Sequence, residues 1–134
     1  MKTLIIEDNH KDSELILIYL KKSELNGNME YDTVSRLSEA QEKIQQNSYN
    51  AILLDLGLPD SKGIDTVKLM LQILNEHNKS CPIIVLTGDS DYAIGKQSID
   101  AGADDFITKN NLSSKILGQS LLFFTSNKAV CNNK

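Results

Sequence analysis

Three carboxylates, one hydroxyl and one ammonium stand in this sequence where a single site could gather them: Glu7 and Asp8, Asp55, Thr87 and Lys109. Each closes a short segment with the character of a strand, namely Thr3 to Ile6, Ala51 to Leu54, Ile83 to Leu86, and Asp105 to Thr108. Three carboxylates within a few ångströms repel one another, and such a cluster is hard to keep ionised unless a cation neutralises it. Oxygen ligands favour Mg²⁺, with Mn²⁺ as the alternative, and Mg²⁺ takes one or two carboxylates, several waters and a phosphate oxygen. One carboxylate is then free to act as a nucleophile, because aspartyl phosphate formation is an established covalent role for Asp. Lys109 can balance charge growing on phosphoryl oxygens, and Thr87 can donate a hydrogen bond to one of them. Gly57 and Gly88 keep the approach open for a bulky donor.

Any one of these positions alone says little, because polar residues end buried strands in every protein. The case rests on whether their strands are neighbours. Thr3 to Ile6, Ala51 to Leu54 and Ile83 to Leu86 are apolar without alternation, which predicts strands covered on both faces of a parallel sheet. Glu30 to Ser35 alternates around Tyr31 and Val34, as a half-exposed edge strand does, and Asp105 to Thr108 is a short last strand. Helices are predicted over 11–25, over the helix formers from Leu37 to Asn47, and over 63–77, where Ile64, Val67, Leu71 and Leu74 keep to one side of a 3.6-residue period. A fourth begins near Ser90 and ends before Gly102, and a fifth begins near Leu112.

A strand and a helix therefore alternate five times. That order predicts an α/β fold, a doubly wound five-stranded parallel sheet with right-handed crossovers and helices on both faces, flavodoxin-like with strand order 2-1-3-4-5. In such sheets the ligand lies beyond the carboxyl ends of the strands where the order reverses, here between the first and third strands. The five polar residues named above end neighbouring strands at that point.

With 18 acidic and 14 basic residues, a net charge of −4 and Arg36 as the sole arginine, the chain suits neither nucleic acid nor an anionic membrane. Its 134 residues fit one domain, taken as residues 1–126 with a polar tail over 127–134. Cys81 and Cys131 lack metal-like spacing, and residues 3–6 are too short for a signal peptide or a span, so a reduced, cytoplasmic protein is expected. His10 and His77 are read as surface residues.

The acidic pair Glu7-Asp8, the run from Leu53 to Asp60 with Gly63 beyond it, Leu86-Thr87-Gly88, and the run from Ala101 to Lys109 together resemble the receiver domain of bacterial two-component response regulators over nearly the full length. The resemblance implies Asp55 as phosphoacceptor, Asp8 and Asp55 as direct Mg²⁺ ligands with the carbonyl of Gly57, and Glu7 acting through metal-bound water. It further implies Thr87 as the switch hydroxyl, Lys109 as the phosphoryl contact and Phe106 as the switch aromatic. Gly57 and Asp89 would border the path of water to the phosphorus. The partners implied are a sensor histidine kinase or phosphotransfer protein upstream, and a protein target or second copy read through the fourth helix, fifth strand and fifth helix. Two departures stand out. Asn110 replaces the proline that often follows the lysine, and since a non-proline cis bond costs roughly 3 kcal/mol, a trans bond and an altered loop are expected. Phe106 lacks the hydroxyl of the tyrosine often found there, so recognition through it would be by shape alone.

The chain is read as a stand-alone receiver or as the same domain excised from a longer regulator or hybrid kinase, a phosphoacceptor with self-dephosphorylation and not a turnover enzyme. A phosphatase of the haloacid dehalogenase type would need an Asp-x-Asp nucleophile after the first strand, where Glu7-Asp8-Asn9 stands. A flavodoxin would need hydroxyl and glycine residues there, since two carboxylates repel a phosphate.

Overall fold

The computed structural model describes residues 1–23, 29–88 and 92–132, with side chains described as far as residue 126. Five strands, β1 (Lys2–Ile6), β2 (Glu30–Val34), β3 (Ala51–Asp55), β4 (Ile83–Thr87) and β5 (Asp105–Thr108), pair in parallel in the order β2-β1-β3-β4-β5. Between and after them run α1 (His10–Lys22), α2 (Leu37–Gln46), α3 (Ile64–Glu76), α4 (Tyr92–Asp100) and α5 (Ser114–Asn132). This is the doubly wound order expected from the alternation of elements. Among the described residues no helix is long and apolar enough to cross a membrane.

Strand alternation sorts the core into two layers. Leu4, Ile6, Ile52, Leu54, Ile83 and Val85 face α2 and α3, meeting Ala40, Ile44, Val67 and Met70. Their neighbours Ile5, Leu53, Ile84 and Leu86 face the other way onto Ile16 and Leu20 of α1 and Leu117 and Leu121 of α5. All five residues of β3 and of β4 are buried, so the uninterrupted apolar runs are explained by a sheet covered on both faces. β2, at one edge, buries only Val34.

Several boundaries depart from expectation. The first helix begins at His10 because Asn9 caps it, its side chain accepting the Asp12 backbone N–H at 3.1 Å. The predicted residues 24 and 25 of that helix, the predicted start of the fourth helix at Ser90, and Asp89 fall outside the described residues. α5 runs on past Ser126, so residues 127–132 of the segment read as a polar tail share its helical backbone. No described peptide bond is cis, and Lys109–Asn111 forms a single 3₁₀ turn after β5.

The loop from β3 to α3 is tied to α2. Arg36, at the start of α2, makes no side-chain cap. Asp60 does so from 22 residues away, accepting the N–H groups of Leu37 at 2.9 Å and Ser38 at 3.0 Å. Burial alone would raise the Asp60 pKa, but these backbone donors bring it below the ordinary carboxylate value.

Position along one helix decides what a side chain contributes. Ile16 of α1 is 1% exposed and Ile18 is 45% exposed. Ile16→Ala is therefore expected to lower stability by about 2–5 kcal/mol through lost burial and a cavity, and Ile18→Ala by no more than about 0.5 kcal/mol. Urea unfolding of the two variants measures both, and equal losses would contradict this two-faced packing of α1.

Candidate functional site

The sheet register assembles the site. Ile6 pairs with Leu54, so the next residues of β1 and β3 bring Glu7 beside Asp55. Asp55 pairs with Leu86, one residue before Thr87, and Thr87 pairs with Thr108, one residue before Lys109. Apolar side chains up to these points fill the core, and the first polar residues beyond them meet at one end of the sheet.

Glu7 and Asp55 are buried while Asp8 is exposed, and the three carboxylates offer oxygen atoms that all lie within 4.8 Å of one another. Lys109 Nζ contacts two of them, 3.1 Å from Glu7 Oε2 and 3.3 Å from Asp55 Oδ1, and a fourth carboxylate, Asp12, at 2.8 Å from its Oδ2. The backbone N–H of Asn9 donates to Glu7 Oε1 at 3.1 Å, and that of Gly57 donates to Asp55 Oδ2 at 3.2 Å. The Thr87 hydroxyl is buried and has no hydrogen-bond partner among the described residues. A Cβ placed on Gly57 would lie 3.5 Å from Asp55 Oδ2, so the bare glycine backbone borders that oxygen.

The electrostatics follow from crowding. Burial first, and then the charge of Asp55, push the Glu7 pKa up to about 7, against the lowering effect of Lys109 and of the Asn9 N–H. Burial works against the charge of Lys109, but the bond to Asp12 and the charges of Asp55 and Glu7 outweigh it and raise its pKa above that of a free lysine. One ammonium does not offset three clustered carboxylates, and a hard cation that takes oxygen ligands would meet the remaining demand. Glu7, Asp8 and Asp55 thus fit a divalent metal by donor type and by spacing.

All five polar residues singled out from the sequence end neighbouring strands at this end of the sheet. Phe106 does not join them. Its ring packs on α4, edge to face with Tyr92 at 5.4 Å, over Gly95, where a Cβ would come within 2.2 Å of it. Sequence reasoning passed over Asp12 and Asn9. The signal available for them was an Asn-x-x-Asp pattern opening a helix directly after the acidic pair.

The larger cleft, of about 420 Å³, lies elsewhere, between the ends of α2 and α3, lined by Asn47, Tyr49, Asn78, Lys79 and Cys81. The Lys79 ammonium there is committed to the carbonyls of Ile44 and Asn47. Among the described residues no carboxylate lines it.

Comparison with known proteins agrees with this architecture. Residues 3–119 match the family described as the response regulator receiver domain. The chain is 35% identical over 108 residues to the response regulator ArlR of Staphylococcus saprophyticus, covering 81% of this chain and 45% of that one. It spans less than half the length of the curated relatives it matches first. In fold it is similar to the signal receiver domain of a putative Luxo repressor protein from Vibrio parahaemolyticus, with a TM-score of 0.79, 22% identity and coverage of 96% and 92%. It is also similar to the receiver domain of the sensor histidine kinase PA1611 from Pseudomonas aeruginosa, with a TM-score of 0.75, 22% identity and coverage of 93% and 97%. That domain was solved with a magnesium ion coordinated in its active site cleft.

The raised Glu7 pKa has a definite sign. A carboxyl whose pKa rises from 4.5 to about 7 on folding favours the folded state fully below 4.5, and that contribution is lost as pH rises through 7. In metal-free protein the melting temperature is expected to fall, on this group's account, between about pH 5 and about pH 8, and millimolar Mg²⁺ to raise it more at the higher pH. Thermal melts with and without Mg²⁺ at both pH values check this, and an equal or absent Mg²⁺ shift at both would count against the cluster as a cation site.

Proposed function

This chain belongs to the response regulator receiver domain family of two-component systems, and we propose that Asp55 is its phosphoacceptor, taking a phosphoryl group from a phosphohistidine in a Mg²⁺-dependent reaction. The observation that carries the reading is the setting of Asp55. Its carboxylate lies within the acidic cluster and 3.3 Å from the Lys109 ammonium. A buried hydroxyl left without a partner costs about 1–3 kcal/mol, and a phosphoryl oxygen would give Thr87 the acceptor it lacks.

On this reading a carboxylate oxygen of Asp55 forms the new bond to phosphorus as the bond from phosphorus to the imidazole nitrogen breaks. The imidazole leaves with that electron pair and takes a proton from solvent. Asp8 and Asp55 would hold Mg²⁺ directly together with the carbonyl of Gly57, and Glu7 through bound water; Mn²⁺ would serve in its place. The ion would supply charge neutralisation for the carboxylates and for the phosphoryl oxygens. Magnesium is the ion in the cleft of the PA1611 receiver domain, whose fold this chain shares. Lys109 balances phosphoryl charge, Thr87 donates to a phosphoryl oxygen as the switch hydroxyl, and Phe106 is the switch aromatic. The bare backbone at Gly57 leaves water a way to the phosphorus, which suits a short-lived phosphoprotein.

The donor is a sensor histidine kinase or phosphotransfer protein, and the setting is the cytoplasm. The phosphorylated state is read by a protein target or second copy at α4, β5 and α5. Tyr92 and Ile99 of α4, and Ile116, Leu122 and Phe123 of α5, support this as large apolar side chains left exposed.

Incubation with acetyl phosphate and Mg²⁺, followed by intact mass measurement, is expected to add one phosphoryl group to the parent and none to Asp55→Asn, whose amide is a poor nucleophile and a weak metal ligand. Stable phosphate on the Asn variant would sink the assignment. For the output surface, Leu122→Glu is expected to weaken phosphate-dependent association by placing a charge in an apolar contact. Sedimentation of phosphorylated parent and variant, alone or with a candidate target, reads this, and unchanged association removes the patch from the reading.

A further inference from the structure

We propose that Asp12 is a positioning residue of this site, holding the Lys109 ammonium in place before a phosphoryl group arrives. The inference rests on the phosphoacceptor reading of Asp55 for its consequence, but on geometry for the contact itself. Of the three carboxylates around Lys109 Nζ, Asp12 is the nearest, at 2.8 Å against 3.1 Å for Glu7 and 3.3 Å for Asp55. The contact spans 97 positions of sequence and joins the first turn of α1 to the residue that follows β5.

Asp12 is itself held. Its backbone N–H donates to the Asn9 side chain at 3.1 Å, and Asn9 in turn donates its own N–H to Glu7 Oε1 at 3.1 Å. One continuous chain of bonds therefore runs from Glu7 through Asn9 and Asp12 to Lys109. Its two ends meet again where Glu7 touches Lys109.

A lysine carries a long, freely rotating stem, and an ammonium fixed before reaction need not be ordered during it. Glu7 and Asp55 would be drawn to the cation when one binds, whereas Asp12 lies outside that carboxylate cluster. Asp12 is thus the acceptor that can keep Lys109 oriented when the metal and the phosphoryl group claim the other two. It touches no reacting atom, and its effect is exerted through Lys109.

The test is the single-turnover rate of phosphorylation by saturating acetyl phosphate with Mg²⁺. Asp12→Ala is expected to slow it by about tenfold, with the half-saturating donor concentration little changed, and Asp12→Asn to recover most of the rate because its amide oxygen still accepts from the ammonium. In a Lys109→Ala background, Asp12→Ala should slow nothing further, since the residue it acts through is gone. A merely structural part in starting α1 predicts something else, namely lowered melting temperatures, parental rates for phosphorylation, and no dependence on Lys109. Rates equal to the parent in Asp12→Ala, or an undiminished effect in the Lys109→Ala background, would overturn the proposal while leaving the phosphoacceptor reading intact. Failure of the parent to take phosphate would overturn that reading instead. The tether is then judged without any donor, by acylation of Lys109 with an amine-reactive ester followed by peptide mass mapping. Faster labelling in Asp12→Ala than in the parent upholds it, and equal labelling overturns it.

Discussion

The Lys109 ammonium stands where negative charge is most concentrated, and the arrangement at the end of the sheet depends on it. Folding brings Glu7 and Asp55 side by side because the strands that carry them are bonded in register, and their mutual repulsion is the cost of that register. One lysine, contacting both and Asp12 besides, offsets part of the cost. What it leaves over is a demand for positive charge among Glu7, Asp8 and Asp55. The apolar sheet supplies rigidity, and its polar ends supply an electrostatic need that the described residues leave unmet.

Much of this could be read from the sequence, because the strongest signals are local. Ala51 to Leu54 and Ile83 to Leu86 are continuous apolar runs, and a parallel sheet covered on both faces is what makes such runs stable. The polar residue ending each run marks the end of a strand, so Asp55 and Thr87 could be located to the residue. Asp12 could not, since its meaning lies in a lysine 97 positions away and its immediate context is only that of a helix start. The same holds for Asp60, whose partners are the backbone N–H groups of another helix. Backbone donors carry no residue identity, and a sequence gives no sign of which side chain will reach them.

Phe106 shows a third kind of limit. The sequence gives the loss of a hydroxyl relative to tyrosine, but the ring's surroundings come from the opposing helix. Gly95 has no side chain and so leaves a notch that the ring fills, while Tyr92 meets it edge on. The size of one residue is set by the absence of another 11 positions earlier. Packing complementarity of this kind is a property of pairs, and a linear reading treats positions singly.

The carboxylate of Asp60 binds the first two amides of α2 while belonging to the loop that carries Gly57 and follows Asp55. The first turn of that helix and the loop are therefore coupled through this cap: moving the loop strips the turn of its cap, while the loop itself is also held by the Gly63 N–H on the Leu56 carbonyl at 2.8 Å. The hydrogen-exchange protection of the Leu37 and Ser38 amides then becomes a gauge of how closely Asp60, and the loop that carries it, sits against α2. The amino end of one helix thereby reports on the placement of a loop belonging to another part of the chain.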